Sequence, residues 1–114
     1  SSMGGYVAAA ASQEIKPVGL FLMAPAFNMP GYARQDIVPQ ARELEIVHGW
    51  GDDVVPLEGV LAFARSQRAI MHLVPAVHAL TELLDWLGEV FGLFLSRCQQ
   101  LDAAPAKKRL LATF

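Results

Sequence analysis

The sequence predicts an α/β protein of three layers, with a parallel sheet of about three strands flanked by helices. Three observations carry this. Short apolar runs stand at residues 18–23, 44–48 and 69–74. Stretches with helical spacing lie between or beside them, and strands alternating with helices pair in parallel through right-handed crossovers. The chain is 54% hydrophobic and 18% charged, richer in apolar residues than an average domain, as strands covered on both faces require.

Each element has its own local cause. Met3 to roughly Gln13 reads as a helix, because four successive alanines, Ala8 to Ala11, have high helix propensity. Gly4 and Gly5 at its start allow close backbone approach. Val18-Gly19-Leu20-Phe21-Leu22-Met23 lies between Pro17 and Pro25 and reads as a buried strand. Residues 28–42 are rich in Pro, Gly and polar side chains and read as a loop. Leu44 to His48 is the second strand, closed by Gly49. Leu57 to about Gln67 is an amphipathic helix with Leu57, Val60, Leu61 and Ala64 on one face. Ala69 to Val74 is the third strand. His78 to about Arg97 is a long helix, with Leu80, Leu83, Leu84, Leu87, Phe91, Phe94 and Leu95 at helical spacing. Gly88 and Gly92 on it are expected to allow close packing against the sheet. Residues 99–114 form a weak tail, readable as a frayed helix.

Composition excludes several classes of function. Net charge is -2, and the one cationic cluster, Lys107-Lys108-Arg109, reads as a solvated terminus, so no nucleic-acid partner is expected. Glu82, Asp85 and Glu89 interrupt the apolar stretch from Leu80 to Leu95, which argues for a core-packed helix and against a membrane partner. With the single cysteine Cys98 there is no internal disulfide and no zinc cluster of paired cysteines. A metal set of His48, Asp52 and Asp53 lacks a third histidine at ligand spacing, and no metal or cofactor is expected. No charged and apolar leader opens the sequence, so the expected location is cytoplasmic.

Three residues in chain order carry the chemistry. Ser2 lies in Ser1-Ser2-Met3-Gly4-Gly5. Asp52 lies in His48-Gly49-Trp50-Gly51-Asp52-Asp53-Val54-Val55-Pro56, directly after a strand. His78 lies just past the third strand. A serine hydroxyl becomes a nucleophile when a base removes its proton. A histidine held by a carboxylate is such a base. For each residue a plainer role exists: Ser2 as a helix cap, Asp52 or Asp53 in a turn or cap, His78 as a cap of the long helix. Asp53 is the expected holder of the turn role. His72, inside a strand, is expected to pack, and His48 to be structural. Ser1 is the rival nucleophile, disfavoured because Met3 stands where its glycine should be.

Nucleophile, acid and histidine in this order, with His-Gly-x-x-Asp-x-Val-Val-Pro after an apolar strand, resembles the α/β-hydrolase superfamily, in particular its serine esterases. The resemblance covers residues 1 to about 97. It implies that residues 1–98 are the C-terminal half of an α/β-hydrolase domain. It also implies a catalytic set of Ser2, Asp52 and His78, with the Met3 backbone N–H facing an oxyanion. Val77 departs from the Gly or Asp usual before the histidine. The nucleophile elbow requires a glycine before Ser1, so the sequence is expected to represent a truncated enzyme, inactive or nearly so as an isolated chain. The expected activity is hydrolysis of small-molecule carboxylic esters or related acyl substrates. The loop from Phe27 to Arg42 is too short for a large cap domain, and Phe27, Met29, Tyr32 and Trp50 are the candidates for an acyl pocket. The alternative is a non-catalytic module acting by association, through an exposed strand edge or with the missing half.

Overall fold

The computed structural model describes residues 1–103. Its elements run α1 (Met3–Ile15), β1 (Gly19–Met23), β2 (Glu43–Gly49), α2 (Leu57–Gln67), β3 (Ile70–Val74), a short 3-10 turn (Thr81–Leu83) and α3 (Leu84–Ala103). The three strands form one parallel sheet in the order β1-β2-β3. Leu22 is opposite Ile46, and Val47 is opposite His72.

Successive side chains of a strand point to opposite faces, and the sheet therefore has two cores. On one face Leu20, Leu22 and Ile46 pack with Ala9 of α1 and with Val60 and Ala64 of α2. On the other, Val47 and Val74 pack with Leu87 of α3, and Phe21, Met23 and Trp86 close around them. The three layers expected from sequence are present. β2, in the middle, is buried along most of its length, whereas β3 at one edge is partly open. No helix among the described residues is long and apolar enough to cross a membrane.

The last helix differs from its expectation at both ends. It starts at Leu84, six residues after His78, because Leu80 adopts a left-handed backbone (φ 59) that helix geometry does not admit. It continues through Ala103, so residues 99–103 of the expected tail belong to it. The rest of the tail lies outside the described residues. Gly88 and Gly92 also differ: a Cβ at either meets no atom within 4 Å. Neither position is in close packing with the sheet. Gly19 is the glycine that a close approach requires, since a Cβ there would run into Phe94 and Cys98 of α3.

Candidate active site

The ends of β1, β2 and β3 meet at the C-terminal edge of the sheet, where parallel sheets collect ligand-binding and catalytic groups. Backbone bonds fasten the connections there to one another. Trp50 N–H donates to Val74 O at 2.8 Å, and Gly51 N–H to Ala76 O at 3.0 Å. A Cβ on Gly49 would collide with the Ala76 carbonyl, so glycine is what lets the two loops touch. The loop that carries Asp52 and the loop that carries His78 thus form one unit.

Ser2 is fixed at the start of α1 by its own backbone. Its N–H donates to Met23 O at 3.0 Å, and its carbonyl accepts Gly5 N–H and Ala26 N–H, each at 3.0 Å. The residue has φ 51 and ψ -123, a conformation that costs a non-glycine residue about 1–3 kcal/mol and recurs where a site demands it. The Ser2 side chain makes no capping bond to α1, which sets aside the plain capping role. Oγ instead lies 3.0 Å from His78 Nε2. Gly5, not Gly4, is the small residue this turn needs: a Cβ on Gly5 would meet Pro25 at 2.9 Å, whereas one on Gly4 meets nothing.

His78 Nδ1 stands 2.8 Å from Asp52 Oδ2. A carboxylate only accepts, so Nδ1 carries the proton and donates it. Nε2 is then the acceptor, and the Ser2 hydroxyl donates to it. Asp52 has a side chain with no exposed surface, and its second oxygen accepts Val54 N–H at 2.9 Å and Val55 N–H at 2.8 Å. Burial pushes its carboxyl upward, but the His78 bond and the two backbone donors outweigh burial and hold it below the ordinary value. The turn role expected of Asp53 therefore falls to Asp52 as well, and Asp53 is exposed.

His48 braces the acid loop from beneath. It is fully buried, its Nε2–H donates to Val55 O at 3.0 Å, and the same nitrogen lies 3.4 Å from Asp52 Oδ2. With both neighbours acting as acceptors, Nε2 holds the loop, while Nδ1 is buried without a partner among the described residues. Among the described residues no three metal-ligating side chains come together. His72 packs edge-on against Trp86 at 5.3 Å, as its place inside a strand suggested.

Of the four pocket candidates, three lie in packing positions. Phe27 is buried and stacked on Phe63 with ring centroids 3.9 Å apart. Met29 and Tyr32 pack against the same core cluster, with the Tyr32 ring 4.5 Å from that of Tyr6. The loop folds back over α1, where Arg34 N–H bonds the Tyr6 hydroxyl and the Arg34 side chain bonds Gln13. Trp50 is the one left with an exposed ring, 62% accessible. It borders an open cavity of about 470 Å³ beside the acid loop, lined also by Pro56 and Leu57. The Met3 N–H sits at the first position of α1, where no intrahelical acceptor exists for it.

An ion pair between a buried carboxylate and a partly exposed guanidinium escaped the sequence reading. Glu45 is almost fully buried in β2 and bonds the Arg97 side chain, which also reaches Glu43 at 3.4 Å. His72 Nε2 lies 3.4 Å from the other Glu45 oxygen. This group ties the C-terminal part of α3 to the start of β2, at the end of the sheet away from His78. The signal available in the sequence was a glutamate inside an otherwise apolar strand.

No family model matches the sequence, and no curated protein matches it. Among solved structures the chain is similar to a protein of Xanthomonas campestris pv. campestris described as a "putative hydrolase of the alpha/beta superfamily", with 31% identity and a TM-score of 0.76. The match covers 85% of this chain and 55% of that one, so the chain spans about half the length of its relative. Three parallel strands with helices on both faces and this match together show an α/β-hydrolase fold, like that of the matched half of the Xanthomonas protein.

Proposed function

We propose that the chain carries the nucleophile, base and acid of a serine hydrolase acting on carboxylic esters or related acyl substrates. The observation that carries the reading is the continuous hydrogen-bonded path from Ser2 Oγ to His78 Nε2 and from His78 Nδ1 to Asp52 Oδ2. In the first half-reaction Ser2 Oγ attacks the acyl carbon as its proton passes to His78 Nε2. The resulting imidazolium is stabilised by Asp52. The oxyanion is met by the Met3 N–H, a donor of the kind whose loss costs about 2.7–4 kcal/mol of barrier. Collapse expels the alcohol or thiol, which takes the proton from His78, and leaves an acyl ester on Ser2. In the second half-reaction water gives its proton to His78 Nε2 and attacks that ester, and Ser2 leaves with the proton restored. Trp50, exposed beside the acid loop, is the candidate to meet the acyl or alcohol part.

The test is labelling with a fluorophosphonate, read by peptide mapping on the chain alone and in the presence of the unmatched portion of the Xanthomonas relative. The expected adduct is on Ser2, absent in Ser2→Ala and reduced in His78→Gln. An adduct on another serine, or none in either form, overturns the reading. A non-catalytic, associating role is favoured by one observation, the open apolar surface beside β1. That role predicts binding without any adduct.

A further inference from the structure

His78 lies in a short loop that stands on two buried feet. Ala76 and Leu80 are 5% and 3% exposed, whereas Pro75, Val77 and Ala79 are open to solvent. Both feet belong to the buried cluster that contains Ala24, Val47, Val74 and Leu87. The Ala76 foot is fastened by backbone, since its carbonyl accepts Gly51 N–H at 3.0 Å. The Leu80 foot closes a turn: its N–H donates to Val77 O at 3.2 Å, and its carbonyl accepts Leu83 N–H at 3.1 Å. Leu80 does this with φ 59 and ψ 11. A bulky side chain is an outlier in that left-handed region, where glycine sits without strain. Such outliers persist when the surroundings over-determine them, and they cluster at functional sites. Here the surrounding factor is burial of the leucine side chain. A glycine would relax the backbone and leave the foot empty.

We infer that Leu80 is a positioning residue for His78: its buried side chain locks the Val77–Leu80 turn and keeps the imidazole within reach of Asp52 and Ser2 at once. The ring is held by one bond on each nitrogen, at 2.8 Å to Asp52 Oδ2 and 3.0 Å to Ser2 Oγ. Both form together only while the backbone beneath the ring stays in place. A misplacement of about 1 Å costs about 10²-fold in rate. The serine side stands on the same cluster. Ala24, also left-handed at φ 45, is a member of it and directly follows Met23, whose carbonyl accepts Ser2 N–H. One buried cluster thus underlies the serine turn and the histidine loop. Leu87 is a member from α3, outside both loops. The kinetic consequence rests on the hydrolase reading, whereas the placement of the ring does not.

The experiment compares Leu80→Ala with Leu87→Ala in the 114-residue chain. Each removes a buried leucine from the same cluster, and both lower the urea midpoint. The first readout is the tautomer of His78, from proton–nitrogen spectra of the histidine-labelled chain in alkaline buffer, assigned by the signal missing in His78→Gln. The parent and Leu87→Ala are expected to hold the proton on Nδ1. Leu80→Ala is expected to move toward the mixture of a free imidazole. The second readout is the rate of fluorophosphonate labelling of Ser2, which is expected to fall about 10²-fold in Leu80→Ala alone. Leu80→Met, which conserves volume, restores both signals. Should Leu80→Ala not fold, Leu80→Gly, which accepts the left-handed backbone, carries the same test. Absence of labelling in every form strikes the hydrolase reading and leaves the tautomer to decide the role of Leu80. A His78 ring that keeps its tautomer without the Leu80 side chain, loses it equally in Leu87→Ala, or lacks the Nδ1 proton in the parent overturns the inference.

Discussion

Asp52 Oδ2 stands 2.8 Å from His78 Nδ1 while Asp52 Oδ1 accepts two backbone N–H groups of its own loop. One carboxylate thus shapes the loop and orients the imidazole. Its neighbour Asp53 is exposed and does neither.

Asp52→Asn keeps an acceptor for Val54 and Val55 but offers His78 a donor where a carboxylate oxygen was. The imidazole then turns to the wrong tautomer. In the form that labels on Ser2, turnover of an ester is expected to fall by about 10⁴, the loss known from the serine-protease template. Asp53→Asn is expected to remain within about twofold, as a surface change does. Equal losses in the two variants would remove Asp52 from its assigned role.

The same carboxylate makes stability depend on pH. Its folded pKa lies below the ordinary 3.8, so the unfolded state binds the proton more readily. The stabilisation from Asp52 is fully present above the unfolded value and is lost as pH falls through the folded one. Urea midpoints of the parent and of Asp52→Asn are expected to differ at pH 6 and to converge as the pH drops below 3.8. A difference that persists or grows in acid contradicts the sign.

Two glycines of the site are expected to respond in opposite ways to alanine. Gly49→Ala drives a Cβ into the Ala76 carbonyl, backbone against backbone. A loss of about 1–3 kcal/mol is expected from such overpacking, with Ser2 labelling reduced because the acid and histidine loops separate. Gly4→Ala meets nothing within 4 Å and should stay within about 0.5 kcal/mol in chemical denaturation. Equal effects would mean that the loop contact is not what holds the site.

Glu45 and Arg97 offer a test of the ion pair that ties α3 to the start of β2. Arg97→Met leaves a buried carboxylate without its cation, a change that costs about 3–5 kcal/mol for fully buried pairs. Arg97 is partly exposed, so water screens the pair and a value at or below the low end is expected. Removing both charges in Glu45→Leu/Arg97→Met should restore much of the stability. Additive losses in the double variant would show that the charges are not coupled.

The three strands and their parallel order were legible because buried parallel strands are short apolar runs and helices announce themselves by spacing. The site was legible as three motifs in order, although nothing in 114 residues of sequence measures the distance between Ser2 and His78. The start of α3 was not legible. Apolar spacing continues from Leu80 into the helix, and only the left-handed Leu80 marks the break. Phe27, Met29 and Tyr32 read as pocket candidates with ordinary packing the commoner role, since an apolar side chain on a loop carries no sign of which way it folds. The Phe27–Phe63 stack and the packing of Met29 and Tyr32 on the core beside Tyr6 decided it.

The sequence by itself determined the layer architecture, because hydrophobic periodicity is a local property that each element shows alone. It also determined which residue types could act as nucleophile, base and acid. Tertiary structure decided what depends on contacts between distant segments. It chose Asp52 over Asp53, made Gly5 and Gly49 the tight glycines and Gly4, Gly88 and Gly92 the open ones, and left one apolar face of α3 uncovered. These outcomes follow from distances across the sheet edge, and a linear pattern holds no information about distance until the chain is packed.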